Sequence, residues 1–417
     1  MKIAYLSSAA IPSTSAHSLQ VMKMCHAMTQ EGHAVTLILP PSETLPSTEE
    51  LGRLYGVEVD FDIRRVGLLP ILGRRGLAMA EANEAVHLSP DMVYARGVDI
   101  AWAACLRGLY TVLEIHHVPT GRLGPVYLRW LAHPGPGSGW TSARLLVISR
   151  RLEEMIRQQY PSLADRPILV APDAVDLERY RKVSTPRTAR RKLGLATGKF
   201  TAGYFGTLVA GRGVEQIIAM AERSPDIDFL MLGGEPAVAT EWKNRTADRR
   251  NIRWLGHVPN ADVPLYQAAC DALLMPYQRE VTVQGKGNTA EFMSPLKMYE
   301  YMAAGRLILA SDLPALRVAL HERNSVLLPS DKIEAWVEAL ETTRRKPIWA
   351  KALAARAQKD VQPLTWRNRV QAILDFAWDG ERGNVKPRVR KRRKKQSPAG
   401  RPSGRVSKRI SPQRKTD

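Results

Sequence analysis

Residues 204–215 read Tyr-Phe-Gly-Thr-Leu-Val-Ala-Gly-Arg-Gly-Val-Glu. Gly206 and Gly211 have the spacing of a phosphate-cradling loop, but where a nucleoside triphosphatase needs Lys and then Ser or Thr this chain has Arg212 and Gly213. The loop follows the strand-like run FTAGYF and opens the helical run VEQIIAMAE, so its amides and the helix dipole favour an anion. With no hydroxyl for magnesium, the pattern suits a diphosphate neutralised by protein alone, with Arg212 as a fixed positive charge. The same letters also spell a tight turn carrying a solvated arginine.

A second stretch, EFMSPLKMYEYMAAGRLILASD at 291–312, predicts a helix that opens near Ser294, tolerates Pro295 in its first turn and closes at Gly305. Its amino end is a second anion site. Leu296, Met298, Met302 and Ala303 can pack on a sheet, while Lys297 and Glu300, three apart, share a face. Glu300 is then either half of an exposed ion pair with Lys297, worth about 0.3 kcal/mol, or an acceptor for ribose hydroxyls.

The elements that must position these residues are strands alternating with helices. Short apolar runs (KIAYLS, AVTLIL, VEVDFDI, MVYAR, TVLEIH, RLLVIS, PILVAP; then FTAGYFG, DFLMLGG, IRWLGHV, ALLMPY, RLILAS, SVLLPS) predict parallel sheets in α/β layers. A helix over about 17–31 has Val21, Met24, Cys25 and Met28 at the 3.6-residue period and Gly32 at its end. At 417 residues two domains are expected, joined through 177–198. In tandem doubly wound domains, ligands sit where strand carboxyl ends face each other.

The net charge of +20 is mostly a tail. Residues 386–417 hold 14 Lys and Arg against Asp417, about +13, which leaves about +7 for the rest. With hardly any apolar side chains that segment reads as disordered. It lacks interleaved aromatics, so its attraction for nucleic acid is nonspecific and salt-sensitive, and it equally suits an anionic membrane surface. No run approaches the roughly 18 apolar residues of a membrane span. The start reads as a first strand rather than a signal peptide, and Cys25, Cys105 and Cys270 as core thiols of a reducing cytoplasm.

The motifs together resemble the retaining glycosyltransferases of family 4, which have a GT-B fold. YFGTLVAGRGVE, LGHVPNADVPLYQAACDALLMPY and SPLKMYEYMAAGRLILASD resemble that family's donor domain in order and spacing; SAHSLQVMKMCHAMTQEGHAVTLI, YARG, LEIHH, LLVISRRL and VAPDAVDLERY agree with its first domain. The resemblance implies an acceptor-side domain at 1–176, a nucleotide-sugar domain at 177–363, a helix at 364–380 crossing back, and a basic tail at 381–417. It implies transfer of a sugar to a glycan or lipid-linked hydroxyl with retention of configuration, with no cofactor and no metal. Donor residues on this reading are Gly206, Thr207, Arg212, Ser294, Leu296, Lys297, Glu300 and Glu291; His116 meets the sugar, with Arg212 and Glu300 beside it in catalysis, and His17 and Arg96 lie on the acceptor side.

Three departures stand out. The family's Glu-x7-Glu pair falls on Phe292 and Glu300, with Glu291 one residue out of register. Its Arg and Lys for the pyrophosphate fall on Thr207 and Arg212. Its NGVD is DAVD at 173–176, expected to alter a turn more than the chemistry. Asp60-Phe61-Asp62 has the spacing of a metal-binding pair, but Glu58, Asp60, Asp62 and Arg64 alternate with Val57, Val59, Phe61 and Ile63 as on a half-buried strand. A nucleotide-sugar epimerase on the same fold is the competing enzyme reading.

Overall fold

A computed structural model describes residues 1–42, 46–67, 73–133, 142–181, 184–283 and 287–379; the basic segment 386–417 lies outside them. In the first half β1 (Lys2–Ser7), β2 (Ala34–Leu39), β3 (Asp62–Arg65), β4 (Met92–Arg96), β5 (Thr111–Ile115), β6 (Arg144–Val147) and β7 (Ile168–Val170) alternate with α1 (Ala16–Gln30), α2 (Thr48–Tyr55), α3 (Gly73–Leu88), α4 (Val98–Cys105), α5 (Gly124–Ala132) and α6 (Arg150–Gln159). The strands form one sheet in the order β3-β2-β1-β4-β5-β6-β7, parallel throughout.

The second half begins with α7 (Pro186–Lys192), β8 (Phe200–Phe205), α8 (Val214–Arg223), β9 (Ile227–Leu232), α9 (Pro236–Arg245), β10 (Ile252–Gly256), α10 (Val263–Ala268) and β11 (Ala272–Met275). A short antiparallel ribbon, β12 (Thr282–Val283) and β13 (Gly287–Asn288), follows. Then come α11 (Leu296–Ala304), β14 (Leu307–Ser311), β15 (Val326–Leu328), α12 (Ile333–Arg345), α13 (Pro347–Asp360) and α14 (Trp366–Trp378). The second parallel sheet runs β10-β9-β8-β11-β14-β15. Its apolar strands and the helices on both faces bury separate clusters, one around Tyr301, Met302 and Leu273 and one around Trp336, Phe229 and Ile217. Cys25, Cys105 and Cys270 are buried free thiols.

Strand order reverses between β1 and β4 and again between β8 and β11. Such reversals open crevices at the carboxyl ends of strands. In the second sheet the crevice is bounded by the 206–213 loop and by the chain leaving β11.

Two local expectations need correction. The strand expected from Val57 starts at Asp62, because β2 supplies partners only from Thr36↔Asp62 to Leu39↔Arg65. Ser294 does not cap α11; Pro295 holds that position with no side-chain bond, and the Ser294 hydroxyl instead accepts from the Asp173 amide at 2.9 Å. The 177–198 connection is packed on the second half: Arg190 of α7, buried, donates to the Ala269 carbonyl at 2.7 Å and pairs with Asp271.

α14 returns to the first sheet. Its apolar face, with Val370, Ile373 and Ala377, is buried, and among these side chains sits Arg369. Its guanidinium bonds Glu114 on β5 at 2.6 Å and the carbonyls of Ala171 and Pro172 at 3.1 and 2.8 Å. The two side chains of the ion pair are 3% and 0% exposed. Arg369→Met is expected to destabilise the chain by about 3–5 kcal/mol in chemical denaturation, because Glu114 then stays buried without its guanidinium. Arg367→Met, which removes an exposed guanidinium from Glu31, serves as the control at under about 1 kcal/mol. Equal losses in the two variants would contradict this reading of the pair.

Candidate active site

The loop after β8 is shaped by positions that admit only glycine. Gly206 has φ +153°, and a Cβ there would collide with the Lys297 ammonium; Gly213, the residue before α8, has φ +82°, and its Cβ would run into the Pro276 carbonyl beyond β11. The loop is thus clamped between two strands' ends, with the amino end of α8 behind it. Thr207 is exposed, and its carbonyl accepts from the Tyr204 hydroxyl at 2.7 Å.

Two cations flank this loop. The Arg212 guanidinium lies 4.5 Å from the centre of the Tyr277 ring, with Nη1 3.8 Å from Met293 Sδ, and its Nε is buried with no hydrogen-bond partner. Lys297 does not pair with Glu300. Its ammonium points the other way, 3.9 Å from the Tyr204 ring centre and 5.2 Å from that of Tyr277, and Nζ too is buried without a partner. Burial, reinforced by Arg212 and opposed by Glu300, holds the Lys297 pKa well below the ordinary lysine value. A buried donor left without an acceptor costs about 1–3 kcal/mol, and such groups gather where a ligand completes them.

Glu300 faces the other domain. Asn260 Nδ2 approaches its carboxylate at 3.4 Å, and with Leu296 it lines a crevice shared with Lys23, Asp176 and Arg179. Glu291 is turned outward into an exposed ion pair with Arg151 at 3.1 Å. Phe292 takes the first carboxylate position and is buried in the apolar cluster of the first domain; its carbonyl accepts from Ser149 at 2.7 Å.

Across the cleft, His116 and Arg96 form one unit. His116 Nε2 lies 2.8 Å from Glu114 Oε1 and 2.9 Å from Arg96 Nε, and Nδ1 lies 3.1 Å from Arg96 Nη2. Burial and then Arg96 push the imidazole down to about 3, so it is neutral at physiological pH. Burial alone would raise the Glu114 carboxyl, but Arg369, His116 and Arg96 hold it well below the usual range. His17 lies 3.1 Å from the hydroxyl of Ser7, which is the register partner of Arg96 on the adjacent strand.

Glu114, Arg369, Tyr204 and Tyr277 escaped the sequence-based assignment of the site, although two carried a signal. Glu114 is a carboxylate inside the apolar run TVLEIH, and Arg369 falls on the apolar period of α14. Asp173 is buried, its Oδ1 has no partner, and its amide is held by Ser294 from the opposite domain.

With this geometry in place, comparisons with known proteins can be set beside it. Residues 195–345 match the family model described as Glycosyl transferases group 1. Among curated proteins, the chain is 28% identical over 113 residues to a putative teichuronic acid biosynthesis glycosyltransferase, TuaH, of Bacillus subtilis (strain 168), covering 27% of each chain. It is 23% identical over 248 residues to a D-inositol 3-phosphate glycosyltransferase of Saccharomonospora viridis, covering 55% of this chain and 54% of that one. The matches thus span about a quarter and about half of those relatives' lengths. Among solved structures, sucrose-phosphate synthase from Thermosynechococcus elongatus superposes with a TM-score of 0.68 at 15% identity, over 90% of this chain and 98% of that one. Anabaena HepE, in complex with UDP and glucose, superposes with a TM-score of 0.64 at 17% identity, over the same shares. These likenesses establish the fold as GT-B, two Rossmann-like domains, with the group 1 glycosyltransferase match in the second.

Asp173 supplies a test of the cleft's electrostatics. Burial raises its carboxyl to about 7, against the pull of Arg369. A raised folded-state value means that its contribution to stability is complete below the unfolded value near 3.8 and is lost as pH climbs to about 7. Asp173→Asn should therefore gain in melting temperature over the natural chain as pH goes from 4 to 8, with the two close together at pH 4. Parallel melting curves across that range would show that Asp173 ionises freely.

Proposed function

We propose that this chain transfers a sugar from a nucleotide-sugar donor to an acceptor hydroxyl, with retention of configuration and no requirement for a divalent ion. The observation that carries the reading is the glycine loop at the β8/β11 crevice, with α8 behind it and Arg212, whose buried Nε has no hydrogen-bond partner, beside it. A diphosphate placed there accepts from backbone amides and from Arg212. As the bond to the sugar lengthens, negative charge grows on the leaving diphosphate, and donors already aimed at it stabilise the transition state without reorganising.

Other residues fit around that centre. Glu300 accepts from the ribose, exchanging its long contact with Asn260 for stronger ones. His116, neutral and braced by Glu114 and Arg96, offers hydrogen bonds to sugar hydroxyls from the facing domain. The acceptor hydroxyl attacks the face from which the diphosphate departs, and the diphosphate itself takes up the acceptor proton. The epimerase alternative is disfavoured by the same histidine, since a group held near 3 does not exchange protons with a sugar ring at neutral pH.

Turnover assays with purified protein and a panel of nucleotide sugars test the reading. Transfer should continue in excess EDTA. Arg212→Ala should lose about 10²-fold or more in kcat, with partial recovery in Arg212→Lys, which restores charge but not the guanidinium fork. Glu300→Gln should weaken donor binding by about 1–3 kcal/mol. Strict dependence on magnesium, or full activity in Arg212→Ala, would contradict the assignment.

A further inference from the structure

The family pattern asks for two cations on the loop, and this chain has one. Thr207 stands where the other belongs. Resting on the diphosphate reading above, we infer that Lys297, delivered by helix α11 rather than by the loop, is the second diphosphate cation, and that it takes up a proton from solvent when the diphosphate binds.

The placement comes from contacts on three elements. Lys297 Nζ packs directly against Gly206, where an added Cβ would meet it. It lies over the Tyr204 ring of β8 and near the Tyr277 ring just after β11, so it is walled in by aromatic faces and the loop backbone. The buried lysine of the first domain makes a contrast: Lys23 donates to the Gly56 carbonyl at 2.7 Å, whereas Lys297 has no acceptor among the described residues.

The proton linkage follows from the charges facing that nitrogen. Arg212 from the loop repels a second positive charge, and Glu300 on its own helix attracts it; the neighbours Tyr204 and Tyr277 are phenols whose ionisation burial pushes upward. Burial and Arg212 prevail over Glu300, so without ligand the amine holds its proton less tightly than an ordinary lysine does. A diphosphate brings negative charge into the same space and reverses the balance, because an opposite charge within about 4–6 Å favours the ionised amine. The step balances as amine plus a solvent proton giving an ammonium that donates to phosphate oxygen. Its consequence is that affinity for the nucleotide falls as pH rises.

Calorimetric titration of the full chain with UDP at pH 8.0, in HEPES and in Tris, tests this directly. UDP is fully ionised at that pH, so it takes up no proton itself. The two buffers release protons with different heats, and the natural chain should show binding heats that differ between them by an uptake of about half to one proton. Lys297→Arg, permanently charged, should bind UDP with no buffer dependence. Lys297→Met should bind about 10–100-fold more weakly, also without it. Equal heats in both buffers for the natural chain, or unchanged affinity in Lys297→Met, would overturn the inference while leaving the diphosphate site standing. Failure of the natural chain to bind any of UDP, GDP, ADP, CDP or dTDP would overturn the diphosphate reading and this inference with it.

Discussion

A carboxylate and a guanidinium with almost no solvent, Glu114 and Arg369, hold the cleft of this protein together. Removing either from water is expensive, and the pair persists because further buried hydrogen bonds accompany it. Glu114 also accepts from Gln20 and Tyr94 and lies against His116, and Arg369 also reaches the carbonyls of Ala171 and Pro172. One bond therefore joins the last helix, the end of β5 and the segment leaving β7. The orientation of His116 and Arg96, both on strand ends facing the second domain, is a consequence of that pair.

The same segment reaches the donor domain. Asp173 follows Pro172 directly and is tied through its amide to Ser294, two residues before α11, the helix that carries Lys297 and Glu300. Phe292, inserted in the core of the first domain, anchors the approach to α11 from the other side. Near the loop, Arg212 Nε and Lys297 Nζ are the buried cationic nitrogens left without a hydrogen-bond partner among the described residues.

Much of this was legible in the sequence. Alternating apolar runs and helical periods yield both parallel sheets, because strands buried on both faces must be continuously apolar. The glycine loop was legible for a related reason: Gly206 and Gly213 occupy positions where a Cβ has no room. Less legible were long-range choices. The spacing of Lys297 and Glu300 on one helix suggests an ion pair, yet aromatic rings from β8 and from the segment after β11 draw Lys297 away, and such contacts leave no local trace. The DAVD segment reads as a turn variant, although burial beside Glu114 and Arg369 makes Asp173 the most strained carboxyl of the cleft. Ser294 looks like a helix cap because serine favours that position, but a tertiary acceptor role competed successfully for its hydroxyl.

The central claim is that a nucleotide diphosphate lies between the 206–213 loop and the side chains of Arg212 and Lys297. The most direct measurement is a crystal structure of the chain with the nucleoside diphosphate that binds best in solution. The account predicts phosphate oxygens within about 3.2 Å of Arg212 and Lys297 nitrogens and of loop amides, with the ribose against Glu300. A nucleotide bound elsewhere in the cleft, or one at the loop with both cations left unpartnered, would contradict it.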